Sequence, residues 1–305
     1  MNFQKRAELG ISNYLAWVQS ARERLTIWMV RNINTTLLTH LFVLIKWLGF
    51  RNKKDRANEA LSQENMKCLI NGGKYRSFIR SKVQQEILET AATCAFNKSI
   101  LKQLNQCSVE LDNIVSKLHA QGNPVIMAPL HMLSDTLAAM VASNVTPMKA
   151  TVIILSHSGE KYPQEICQSA GFNIEYCPID VNNGQLTKQL KTAYTEGIKQ
   201  KTNIVIFPDI TPYYTGADIN KNKNMVACKI FNRPAHLHQG VIRFSKMLNA
   251  KVVFYYLHYD KGIKIHIYTP VEAVNVELET PKIIENAIKR SPESWLLWHQ
   301  HFLYF

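Results

Sequence analysis

Residues 122–142 read GNPVIMAPLHMLSDTLAAMVA, and a change of texture inside this stretch decides the fold. Before it, residues 1 to about 120 are rich in Leu, Ala, Gln, Glu, Lys and Arg, with almost no β-branched runs and no proline ahead of Pro124. Such a composition favours helices, broken at Gly49 and at Gly72-Gly73. From Pro124 to Ala128 a short apolar run bounded by turn residues reads as a buried strand. Pro129 ends the strand and Asp135 to Ala142 reads as a helix, which leaves His131 at the junction.

The same alternation continues downstream. Strands are expected at 150–155, 172–177, 203–207, 251–256 and 262–268. Helices are expected at 163–170, 184–200, 239–248 and 281–290. Strands alternating with helices imply an α/β fold, a mixed and mostly parallel central sheet flanked by helices. The chain is expected to comprise a helical region over 1–120 and an α/β catalytic region over 121–305, together one compact unit. With 305 residues, 46% of them apolar, it has enough material for a large core.

The chain carries 36 Lys and Arg against 23 Asp and Glu, a net charge of +13. Solubility alone would be served by such a charge, but so would an acidic partner or an anionic surface. Basic residues crowd the first part, among them Lys5, Arg6, Arg22, Arg24, Arg31, Lys46, Arg51, Lys53, Lys54 and Arg56. Their interleaving with large apolar groups favours a membrane surface over nucleic acid, and the mainly aliphatic strands offer no stacking platform for bases. The most apolar stretch, LLTHLFVLIKWLGF at 37–50, holds His40 and Lys46 and falls short of the ~20 residues of a spanning helix. Two readings fit it: a helix lying in the membrane interface with Trp47 and Phe50 as anchors, or a buried core helix. No cleavable leader is seen, and the six cysteines form no CxxC pair, so a reducing cytoplasmic setting is expected and a zinc site is not.

Four motifs carry chemistry. In APLHMLSDTLAA (128–139), His131 stands at a strand's carboxyl end, where open α/β sheets bind ligands. Asp135, four residues on, shares a helical face with it, so a carboxylate can steer the imidazole and raise its basicity. In IVIFPDITPYYTG (204–216), a strand runs into Asp209 and a loop bearing Tyr213, expected on the same rim. In KIFNRPAHLHQGVIRF (229–244), Asn232-Arg233-Pro234 reads as a turn and the helix is expected from Ala235 to Leu248. A guanidinium at Arg233 suits a phosphate or carboxylate, while His236 and His238, two apart on a helix, would face different ways. In SPESWLLWHQHFLYF (291–305), Trp295, Trp298, Phe302 and Phe305 read as packing groups, and His299 and His301 as packing rather than metal ligands.

These pieces in this order resemble the bacterial lipid A late-acyltransferase family, a branch of the lysophospholipid acyltransferases. The resemblance runs from about Pro124 to the C-terminus and rests on His131, Phe207-Pro208-Asp209, Phe231-Asn232-Arg233-Pro234-Ala235 and Pro292-Glu293 through Trp298-His299. It implies transfer of an acyl group from a thioester donor, an acyl carrier protein or acyl-CoA, to a hydroxyl or amine acceptor on a lipid, peptide or small molecule, without cofactor or metal. His131 is the expected base and Asp135 its partner. Thr136, Asp209, Tyr213 and Arg233 are expected to bind substrate, and backbone N–H groups after His131 to hold the oxyanion. The expected location is cytoplasmic, peripheral on the inner face of the cell membrane. The family's acid, five positions after its histidine, is here Thr136, and its basic pair after the final histidine is Gln300-His301. The acceptor therefore stays open, as does aminoacyl transfer from a carrier protein or an inactive membrane-bound scaffold of the same fold.

Overall fold

A computed structural model describes residues 21–48, 53–70, 77–155, 168, 170–179, 186–210 and 225–300. The expected helix at 163–170, Tyr213 and the last five residues lie outside them, except for positions 168 and 170.

The N-terminal region is helical as expected: α1 over 21–32, α2 (Thr35–Trp47), α3 (Lys53–Leu69), α4 (Phe78–Thr93) and α5 (Lys98–Ala120). Asn34 and Asn97 start α2 and α5 by accepting two orphan N–H groups each. Helix α4 is capped from outside, since Ser77 makes no cap bond and the Glu59 carboxylate of α3 accepts both Ile79 N–H and the Ser77 hydroxyl. That bond locks α3 to α4.

Beyond Gly122 come β1 (Val125–Pro129), α6 (Asp135–Ser143), β2 (Ala150–Leu155), β3 (Ile174–Ile179), α7 (Leu186–Ile198), β4 (Asn203–Ile206), β5 (Met225–Ile230), β6 (Arg233–His238), α8 (Gly240–Leu248), β7 (Lys251–Tyr259), β8 (Ile263–Ile267) and α9 (Val276–Arg290). Six strands form one sheet in the order β3-β2-β4-β1-β7-β8. All neighbours are parallel except β7 and β8, which are antiparallel. The fold is α/β with a mixed, mostly parallel sheet.

Both faces of the sheet are buried, which is why its inner strands are continuously apolar. Val125 and Met127 of β1, Val205 of β4 and Val253, Tyr255 and Leu257 of β7 pack with α4, α5 and α6. Ile126 and Ala128, Ile204 and Ile206, and Val252, Phe254 and Tyr256 pack on the other face with α8, α9, Trp295 and Trp298. The first of these cores also takes in Val30, Leu38 and Ile79, so the N-terminal helices are continuous with it.

One expected element is corrected. Ala235 to His238 is not helical: Arg233–His238 pairs antiparallel with Met225–Ile230 in a separate hairpin. Its two-residue turn, Phe231-Asn232, has positive φ at both positions (52° and 60°), as the turn that matches strand twist requires. Ala235 and Leu237 are buried and His236 is exposed, a period-two pattern that α-helical periodicity does not produce. His236 and His238, two apart on a strand, therefore do share a face. The helix begins only at Gly240.

Candidate active site

Strands β1 and β4 lie side by side with Met127 opposite Val205. Continued in step past the strand ends, that register sets His131 opposite Asp209. The two meet there: His131 Nδ1 lies 2.8 Å from Asp209 Oδ1. The backbone N–H of His131 donates to both carboxylate oxygens, at 3.2 and 3.0 Å. The indole N–H of Trp295 donates to Oδ2 at 3.4 Å. Asp209 is fully buried. An ionised carboxylate only accepts, so Nδ1 carries the proton and Nε2 is left as the basic nitrogen.

The loop that carries His131 is held by a segment from the far end of the chain. Leu130 N–H donates to Tyr255 O, Leu133 N–H to Ser294 O, and Leu296 N–H to His131 O. Met132 and Trp295 form a β-bridge. Leu133 has a φ of 60°, which turns the chain from the strand direction into α6. Ser134 caps α6 through Leu137 N–H, and its hydroxyl donates to Glu89 Oε1 at 2.7 Å. The Phe207 ring lies 4.6 Å from the imidazole, centroid to centroid.

Burial pulls the His131 pKa down, but the charge of Asp209, its hydrogen bond and the nearby charge of Asp135 outweigh this and hold it above the ordinary imidazole value. Burial pushes Glu89 up to about 7, helped by the charge of Asp135 and opposed by the bonds from Ser134 and Gln85. Burial also raises the thiols, Cys107 to about 12 and Cys228 to about 11, which makes both poor nucleophiles.

The expected site residues fare differently. The partner on Nδ1 is Asp209, not Asp135. Asp135 opens α6, where its Oδ1 accepts the N–H of Thr136, and it reaches His131 through its charge. Asp209, expected to bind substrate, lies against Nδ1 of His131. Thr136 is buried within α6. Arg233 is exposed and its Nη2 donates to Cys68 O at 3.3 Å, at the C-terminal end of α3, where a cation is favourable. Of the N–H groups after His131 expected to hold the oxyanion, those of Met132, Leu133, Ser134, Thr136 and Leu137 donate within the protein. Trp295 and Trp298 are buried and meet edge to face, and the His299 ring packs on Phe78. Among the described residues no group of three or more His, Cys, Asp or Glu side chains forms a metal site. The roles of Trp295 and Glu89 have no local signal in the sequence, because both reach the site from more than forty residues away.

No protein-family model matches the chain, and no curated protein matches it.

Proposed function

We propose that the protein is an acyltransferase that moves an acyl group from a thioester donor to a hydroxyl or amine, with His131 as general base. The observation that carries this reading is the buried Asp209 on Nδ1 of His131, at the carboxyl ends of two adjacent central strands. Asp209 accepts a hydrogen bond from Nδ1–H, which keeps that proton on Nδ1 and leaves Nε2 to take one from the acceptor. The acceptor oxygen or nitrogen then attacks the thioester carbonyl, the new ester or amide bond forms, and the carbon–sulfur bond breaks. The departing thiolate takes the proton from the imidazolium, which returns the base to its starting state.

The donor is an acyl carrier protein or acyl-CoA. Both are acidic, and a net charge of +13 draws either in. The acceptor is a lipid, peptide or small molecule. Among the described residues no helix is long and apolar enough to cross a membrane, and the protein acts peripherally at the inner face of the cell membrane.

Incubation with a loaded carrier protein, followed by intact-mass measurement of candidate acceptors, tests the transfer. His131→Ala is expected to lower the rate by about 10² or more with the fold intact. Equal rates for the variant and the parent would refute the reading.

A further inference from the structure

Helix α2 carries two apolar stripes. One, formed by Leu38, Phe42 and Val43 with Thr35 and Thr39, faces the protein and packs into its core. The other is formed by Leu37 with Leu41, Leu44, Ile45 and Leu48, which follow it at offsets of four, seven, eight and eleven residues, and it lies on the nearly opposite side. All five side chains are exposed, Leu37 by 63% and Leu48 by 74%. Trp47 beside them is exposed as well, and α1 adds Leu25 and Trp28, one helical turn apart. Half of the exposed large apolar side chains among the described residues fall between 25 and 48. Single exposed leucines are ordinary; a continuous stripe on the outer side of an already docked helix marks an interface.

Charge identifies what it meets. Arg22 and Arg24 on α1 and Lys53, Lys54 and Arg56 at the start of α3 are exposed at the two ends of this segment. Of the nearby acids, Asp55 is buried and paired with Lys46 and Lys82, and Glu23 is exposed between Arg22 and Arg24, so basic charge stays in excess at both ends. Like charges at both ends oppose the pairing of two copies through this face. They suit an anionic headgroup layer, with the leucines below it and the tryptophans at its level.

We infer that the outer face of α2, with Leu25 and Trp28 of α1, is an in-plane anchor that lies in the surface of an anionic lipid bilayer. This rests on the peripheral location proposed above and gives it a specific surface. It is independent of the chemistry at His131.

The test is sedimentation of the full chain with vesicles of phosphatidylcholine alone or mixed equally with phosphatidylglycerol. The parent is expected to sediment with the mixed vesicles, less with the neutral ones, and less as salt is raised. Leu41→Glu/Leu44→Glu is expected to lose at least about tenfold in partitioning, with an unchanged circular dichroism spectrum because both positions are exposed. Leu37→Ser/Leu44→Ser, a milder pair, is expected to lose a smaller share in the same direction. Lys53→Gln/Lys54→Gln is expected to weaken binding to the mixed vesicles only, and His131→Ala to leave it unchanged. A parent that stays in the supernatant would overturn the inference. So would glutamate and serine variants that sediment like the parent, or a parent that is a dimer made monomeric by L41E/L44E and indifferent to vesicles. Loss of vesicle binding with His131-dependent transfer intact would remove the anchor and leave the base; the reverse result would do the opposite.

Discussion

Asp209→Asn is the sharpest probe of the site, because it keeps the shape of the side chain and removes only charge and one acceptor. Among the described residues the carboxylate takes three donors: the backbone N–H of His131, its Nδ1–H, and the Trp295 indole. An amide offers one oxygen and one NH₂, so at least one donor must face a donor. If the amide oxygen stays on the backbone N–H, its NH₂ meets Nδ1 and forces the imidazole proton onto Nε2, the nitrogen needed as base. Loss of the charge-assisted bond alone weakens the imidazolium by about 1.5–3 kcal/mol, or on the order of 10- to 100-fold in rate. With the tautomer reversed as well, a fall of about 10³–10⁴ is expected. Single-turnover transfer from a loaded carrier measures it. A base must be neutral to act, so the parent rate rises with pH through the His131 pKa, which, against burial, the Asp209 charge holds above the ordinary imidazole value. In the Asn variant that inflection moves down, and ¹H–¹³C NMR of the His131 ring follows it without turnover. Asp135→Asn is the control: its charge acts at the helix start without holding Nδ1, and about tenfold or less is expected. The reasoning fails if Asp209→Asn stays near parent activity or if Asp135→Asn costs as much.

Three further outcomes follow from the packing around the site. The Glu89 pKa is raised from 4.5 to about 7, so the folded state holds a proton that the unfolded chain releases, and stability falls as pH climbs between these values. Glu89→Gln removes this dependence and is expected to be more stable than the parent at pH above about 7, by on the order of 2–3 kcal/mol in urea unfolding; equal slopes of stability with pH in both proteins would exclude it. Trp295→Phe keeps an aromatic ring but loses the pyrrole half of the indole with its donor to Asp209, with an expected cost of about 2–4 kcal/mol and roughly tenfold in rate, read by denaturation and by turnover. Leu104→Ala opens a cavity where α5 is fully buried and is expected to cost about 3 kcal/mol with the His131 ring resonance unmoved.

Short-range chemistry made much of this protein legible from its residues. Ala150–Leu155 is a strand end to end where it is expected, and the helix at Asp135 starts on its capping serine, because periodicity and caps are local properties. The helix at the C-terminal side is longer than expected, Val276–Arg290, since Pro281 lies inside it rather than at its start. The hairpin at 225–238 was concealed by a turn-forming Asn-Arg-Pro whose residues serve a helix start equally well; the alternation of Ala235 and Leu237 with His236 was its trace.

The sequence by itself determined the α/β class, the helical N-terminal region and the place of His131 at a strand end. Tertiary structure alone decided which acid serves that histidine. Asp135 is close in sequence, but Asp209 is close in space, because β1 and β4 pair although α6, β2, β3 and α7 all lie between them along the chain. It decided that the Trp295 indole reaches Asp209, since the C-terminal segment returns to bridge Met132. It also decided between two uses of one apolar helix. The residues of α2 are hydrophobic on both sides, and only their packing determines which side the protein covers and which it leaves exposed.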